Sequence, residues 1–130
     1  MIRLPLIVLS VVSAAGMASA QSPAVSSNEV CRAGLASITG RDPSIMSLRP
    51  EADFLWVTYT RPSDKKVWSY RCRVSGNRIE WADEAGNWRD KPHSTLVTFE
   101  IVNSGKAIKV TEDFRDGSKT DKTYARAKLR

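Results

Sequence analysis

The residues of this chain with the most definite chemistry are its two cysteines, Cys31 and Cys72. A dithiol redox site is commonly built on close neighbours such as C-x-x-C, and these two stand 41 positions apart. In an exported chain an even cysteine count reads instead as a structural disulfide, and one pair has one intramolecular connectivity. Closing that loop removes about 4 kcal/mol of unfolded-state freedom on a loop-entropy model. His93 is the only histidine and follows Pro92 in a polar stretch. A metal site on imidazole needs a second histidine or free thiols beside it, so His93 reads as surface and no metal is expected. No G-x-S-x-G elbow supports a serine hydrolase. Asp83 and Glu84, near Trp81 and Trp88, have the residue types for glycoside hydrolysis, but acidic residues in turns are commonplace. Glu112 and Asp113 break an apolar alternation and read as a strand end meeting water. No catalytic residue and no cofactor are expected, and the protein reads as non-enzymatic.

Binding chemistry is better represented. Four tryptophans, Trp56, Trp68, Trp81 and Trp88, are many for a chain of 130 residues. Arg71, Arg73 and Arg78 lie near aromatics, a combination that single-stranded nucleic acid would suit; export argues against that ligand, and no nucleic acid is expected. Net charge is +6, with bases and acids interspersed apart from the tail Lys119 to Arg130. Such a surface can attract anionic polymers, lipid headgroups or acidic proteins.

The export argument rests on the first twenty residues. Met1 to Arg3 is a short basic start, Leu4 to Val12 is nearly all apolar, and Ala18-Ser19-Ala20 is an A-x-A site. That is the layout of a cleavable signal peptide, expected over 1–20, with Gln21 as first mature residue. The apolar run is shorter than the roughly 20 residues a spanning helix needs, and no cysteine follows the site to carry a lipid. No stable membrane anchor is expected, and the location is periplasmic or secreted. Residues 21–27 read as a flexible lead-in and 28–130 as a single domain.

The elements that must position these side chains follow from periodicity. Ser26 and Glu29 have capping-box spacing, and Cys31, Leu35 and Ile38 share a face at i, i+4, i+7. A helix is expected over about Asn28 to Thr39, closed by Gly40 and blocked by Pro43. The period then changes to two. Strands are expected at Ser44 to Leu48, Phe54 to Thr60, Val67 to Val74, Leu96 to Val102 and about Lys119 to Lys128, with turns at Pro62 to Asp64, Ser104-Gly105 and Asp116-Gly117. A two-residue hairpin loop at Gly76-Asn77 sets Val74 opposite Ile79, Cys72 opposite Trp81 and Arg73 opposite Glu80. The Ser104-Gly105 turn sets Ile101 opposite Ile108 and Phe99 opposite Val110. Trp68 and Trp81 then fall on the Cys72 face and read as core. Trp56 is out of phase with Leu55, Val57 and Tyr59, so either that strand is buried on both faces or Trp56 is exposed for a partner. Trp56, Trp88 and Arg89 are the candidate partner contacts. The expected fold is mostly β (α+β): one N-terminal helix, disulfide-linked through Cys31 and Cys72 to an antiparallel meander sheet or small barrel of six to seven strands.

The segments CRAGLASITGRDPSIM (31–46) and WSYRCRVSGNRIEWADEAGNWRD (68–90) resemble a group of small exported bacterial proteins with no assigned activity. That resemblance implies a periplasmic or secreted location and nothing about chemistry. The strand-and-turn pattern with one disulfide is also similar, at fold level, to small periplasmic lysozyme-inhibitor barrels, although their inhibitory motif has no match here. The leading expectation is an exported binding or inhibitor-like module of the cell envelope, with an envelope protein or anionic polymer as partner and the oligomeric state left open. The alternatives are a small-ligand carrier with an apolar barrel pocket and a hydrolase of cell-wall or sugar polymers.

Overall fold

A helix is nucleated where its first free N–H groups find acceptors, and here they do. In the computed structural model, which describes residues 24–130, the Ser26 hydroxyl accepts from the Glu29 amide (3.2 Å) and the Glu29 carboxylate reaches back to the Ser26 N–H. Helix α1, Ser27–Thr39, follows. It ends at Gly40, whose φ of 68° lies in the left-handed region and whose N–H bonds the Ala36 carbonyl. The expected signal peptide, its cleavage point before Gln21 and the lead-in as far as residue 23 lie outside the described residues.

Seven strands come next: β1 (Ser47–Glu51), β2 (Phe54–Thr60), β3 (Val67–Ser75), β4 (Arg78–Ala82), β5 (Leu96–Val102), β6 (Ala107–Asp113) and β7 (Lys119–Ala125). They form one antiparallel meander with neighbours in chain order. The sheet is open, with β1 and β7 at its edges, so the barrel alternative falls. The hairpin register is the expected one: Val74 faces Ile79, Cys72 faces Trp81 and Arg73 faces Glu80, with Arg73 Nε donating to Glu80 at 3.1 Å. Ile101 pairs with Ile108 and Phe99 with Val110, as expected. Gly76 takes φ = 59°, a conformation a β-branched residue resists. Gly76→Val should therefore cost about 1 kcal/mol or more, read as a lower melting temperature of the otherwise native domain.

Three local expectations need correction. Pro43–Ile45 is a 3-10 turn with the Asp42 carboxylate accepting from the Ser44 amide (2.9 Å), so the first strand starts at Ser47 and not at Ser44. The last strand stops at Ala125, and Arg126–Lys128 turns inward in 3-10 form to bury Leu129. Glu112 does not meet water. It is buried, and its carboxylate accepts from the Ser37 hydroxyl of α1 at 2.8 Å.

The core lies between α1 and one face of the sheet. Val30, Cys31, Ala33, Leu35 and Ala36 pack on Leu55, Val57, Cys72, Ile79, Val97, Ile108 and Val110. These side chains occupy the space that a closed barrel would enclose. Gly34 lets the helix approach β4 closely, since a Cβ there would stand 2.9 Å from Ile79 Cδ1. Cys31 and Cys72 are both fully buried and bonded, with Cα atoms 6.0 Å apart. Strands β4 and β5 share only the Arg78–Thr98 register pair and a 2.9 Å bond from the Phe99 N–H to the Asn77 carbonyl. Helix α1 packs on strands either side of that thin seam, β2 to β4 and β5 with β6, so it ties the two parts of the sheet together.

Candidate functional site

The pleat gives the sheet two faces, and aromatic side chains with cations occupy both. On the face away from α1, Phe54 and Trp56 of β2 stand beside Arg71 and Arg73 of β3. The Phe54 ring lies 5.5 Å from Trp56 and 6.1 Å from Trp88, both edge-on. The Arg71 guanidinium sits over both β2 rings, 5.3 Å from Phe54 and 4.9 Å from Trp56, and Arg73 lies 3.9 Å over Trp88. Two of the three residues expected to touch a partner, Trp56 and Trp88, thus meet through Phe54. Trp56 is neither core nor free; it is half-buried, with its indole N–H bonded to Glu51.

This outer cluster is largely satisfied from within. Arg73 donates to Glu80 and to Asp90 (3.1 and 3.3 Å). Arg71 donates to the Glu84 carbonyl (3.1 Å), and Gly86 leaves room for its guanidinium. The Asp83 carboxylate closes its own loop on Asn87, accepting from the backbone N–H (3.0 Å) and Nδ2 (2.8 Å), and these bonds hold its pKa below the ordinary value. Glu84 contributes its carbonyl to Arg71. The pair expected to have the right types for sugar hydrolysis is thus engaged in shaping the loop that carries Trp88.

Arg89, the third expected contact, turns to the other face. Near the C-terminal end of α1 the sheet extends past the helix, and there it carries a continuous aromatic row. Tyr59 pairs with Trp68 in register. Tyr59 stacks on Tyr70 at 6.3 Å, and Tyr70 meets Trp81 edge-on at 5.9 Å. Trp68, Tyr70 and Trp81 are only half-buried. A cation lies over three of these rings: Arg41 over Tyr59 (5.9 Å), Lys66 over Trp68 (4.4 Å) and Arg89 over Trp81 (5.4 Å). Arg61 also lies over Trp68 (5.2 Å), but it is paired with Asp64, its Nε donating at 2.8 Å. Burial and the Tyr59 hydroxyl beside it push the Tyr70 phenol up to about 12, so Tyr70 is neutral at physiological pH.

The physical contrast between the faces is in what neutralises the cations. Arg73 has carboxylate partners, while Arg71 beside it has a backbone carbonyl, two rings and an Nε without a partner among the described residues. Arg41, Lys66 and Arg89 have no carboxylate within ion-pair contact and no side-chain hydrogen bond to another described residue; ring faces hold them, while Asp64 and Asp83 attract Lys66 and Arg89 from farther off. A ring face positions a cation, at about 0.5–1 kcal/mol at exposed sites, without cancelling its charge or consuming its N–H donors. Lys65, at the tip of the same hairpin as Lys66, is exposed, and Lys128 stands with Arg41 around a depression of about 320 Å³.

Alternation in the sequence placed Trp68, Tyr70 and Trp81 correctly on one face, but the face was read as core throughout. Arg41, Tyr59, Arg61 and Lys66 were missed as site residues. Their signal was present: Arg61 and Lys66 flank a Pro-Ser-Asp turn directly above an aromatic strand, and Arg41 follows the helix-ending Gly40. Among the described residues no group of three or more His, Cys, Asp or Glu could hold a metal ion, and no helix is long and apolar enough to cross a membrane. The chain matches no family model, no curated protein and no solved structure.

Proposed function

We propose that this protein is an exported, non-enzymatic binding module of the cell envelope that takes an anionic partner on the helix-side aromatic row. The observation that carries this reading is the set of unpaired cations Arg41, Lys66 and Arg89, each held over the ring of a shared row. Export is supported by the sequence of residues 1–20 and by the buried disulfide, since such bonds persist in oxidising compartments. The outer cluster of Phe54, Trp56 and Trp88 is the second surface a partner could meet, but its Arg73 is already paired with Glu80 and Asp90.

Exposed charges act over a Debye length of about 10 Å at 0.1 M salt and about 3 Å at 1 M. Binding of a linear polyanion, followed by calorimetry with polyglutamate as probe, should therefore be measurable at low salt and weaken steeply as salt rises. Replacing Arg41, Lys66 and Arg89 together by glutamine should abolish it while leaving the melting temperature within a few degrees, because none of the three side chains makes a contact ion pair or a side-chain hydrogen bond to another described residue. Unchanged affinity in that triple variant would place the partner elsewhere.

A further inference from the structure

One end of the aromatic row differs from the rest, and we infer that it is a subsite for an acidic sugar residue, so that the anionic partner is a carboxylated glycan; this rests on the binding reading above. Beside Trp81 lies a cleft of about 320 Å³ lined by Trp81, Arg89, His93, Ser94 and Thr95. Three kinds of chemistry converge there. The indole offers a flat apolar wall. Arg89, over that indole and with no carboxylate in ion-pair contact, offers a fork of donors that matches a carboxylate in geometry. His93 and Thr95 offer hydrogen-bonding groups, and neither side chain has a hydrogen bond to another described residue.

The segment is also held in place, which a subsite needs. The Arg89 N–H donates to the Trp81 carbonyl at 2.7 Å, fixing the start of the segment on β4. The Ser94 N–H returns to the Lys91 carbonyl (3.0 Å), and the Ser94 hydroxyl accepts from the Lys91 N–H (3.3 Å). Arg115 Nε, from the β6–β7 connection, donates to the Ser94 carbonyl (3.3 Å). The Lys91–Ser94 turn is thereby closed on itself and latched to the far half of the sheet, and it presents His93 and Thr95 toward Trp81.

A sugar ring has an apolar C–H face and a rim of hydroxyls, and a uronic acid adds one carboxylate. An indole wall, hydrogen-bonding side chains and one guanidinium answer those three features together. Inorganic polyphosphate and an acidic polypeptide would use the cations of the row but have no flat C–H face to lay against an indole wall. From the cleft, a glycan can run along the half-buried Tyr70 and Trp68, with Tyr59 buried beneath the row, so that Lys66 and Arg41 meet its further carboxylates.

The test compares three probes at one ionic strength: a uronic-acid oligosaccharide, polyglutamate and polyphosphate matched for charge. The oligosaccharide should bind about tenfold more tightly than the other two, a margin equal to one net hydrogen bond to the site. Thr95→Val, which keeps shape and removes the hydroxyl, should erase most of that margin and leave polyphosphate binding unchanged. In nuclear magnetic resonance spectra the Trp81 indole N–H should shift with the oligosaccharide more than with polyphosphate. If all three probes bind equally and Thr95→Val is silent, the sugar subsite is overturned while the anion-binding reading stands. If no probe binds, both readings fail.

Discussion

The domain lacking its disulfide, made as Cys31→Ser with Cys72→Ser, should be less stable by about 2–5 kcal/mol. For a domain of this size that lowers the melting temperature by about 10–30 °C. The argument has two parts. The bond closes a loop across 41 positions, and so restricts the unfolded chain. In the folded chain it joins α1 to β3, the two elements that the meander does not connect. Helix α1 is also what spans the thin β4–β5 seam, so loosening its hold on the sheet weakens the join between the two parts. Both sulfurs are fully buried, and serine hydroxyls placed there would lack partners, which adds to the cost. Thermal melts of the double variant and of the reduced parent should agree to within a few degrees. Free-thiol titration of the native protein under denaturant should find none. A double variant that melts with the parent would remove α1–β3 tethering from the account.

A comparable loss is expected from Arg126→Ala. Arg126 and Glu29 are both buried, and Arg126 Nε donates to Glu29 at 2.7 Å. Arg126 also donates to the Gly105 carbonyl (3.0 Å) and to the Ala24 carbonyl (3.3 Å). One guanidinium thus fastens the helix N-terminus, the β5–β6 turn and the C-terminal 3-10 turn. Removing it strands a buried carboxylate, at a cost of about 3–5 kcal/mol. The pH dependence has a definite sign. The hydrogen bond from Arg126 holds the Glu29 carboxyl below its ordinary value of 4.5, against the opposing effect of burial. A carboxyl depressed in the folded state contributes stability that is complete above its unfolded pKa and is lost as pH falls through the folded value. The parent should therefore lose stability on acidification below about pH 4.5, and Arg126→Ala should show a shallower loss over the same interval. The double change Glu29→Gln with Arg126→Met should recover part of the stability, because it leaves no uncompensated buried charge. Equal acid slopes in parent and Arg126→Ala would mean that exposed carboxylates, and not Glu29, set the acid limit.

Local chemistry made much of this fold legible. The Ser26–Glu29 capping box and Gly40 bounded α1, and the two-residue Gly76-Asn77 loop dictated three cross-strand pairs. The cysteine pairing followed from two apolar faces that had to meet. The elements that were misread were ruled by tertiary partners absent from any local window. Glu112 is polar by type, yet it is buried because Ser37, far away in sequence, supplies its hydrogen bond. Arg126 to Lys128 looked like the end of a weak strand, and the chain turns inward there because Glu29 awaits Arg126 and the core awaits Leu129. The binding surface was half legible for a similar reason. Period-two alternation assigns a residue to a face but is silent on where along that face a helix stops covering it. Trp68, Tyr70 and Trp81 lie beyond that point, and Arg89 sits with them while Trp56 and Trp88 lie on the opposite face.

The central claim, that positioned cations and not net charge make the binding surface, is tested most directly by a charge-matched pair of variants. One carries Arg41→Gln, Lys66→Gln and Arg89→Gln on the aromatic row. The other carries Lys106→Gln, Lys109→Gln and Arg130→Gln, which lose the same charge away from it. Each is passed over an immobilised carboxylated polymer, and the salt concentration that releases it is recorded. The account predicts that the second variant elutes with the parent and that the first passes through unretained at low salt. Equal loss of retention in both variants would contradict it.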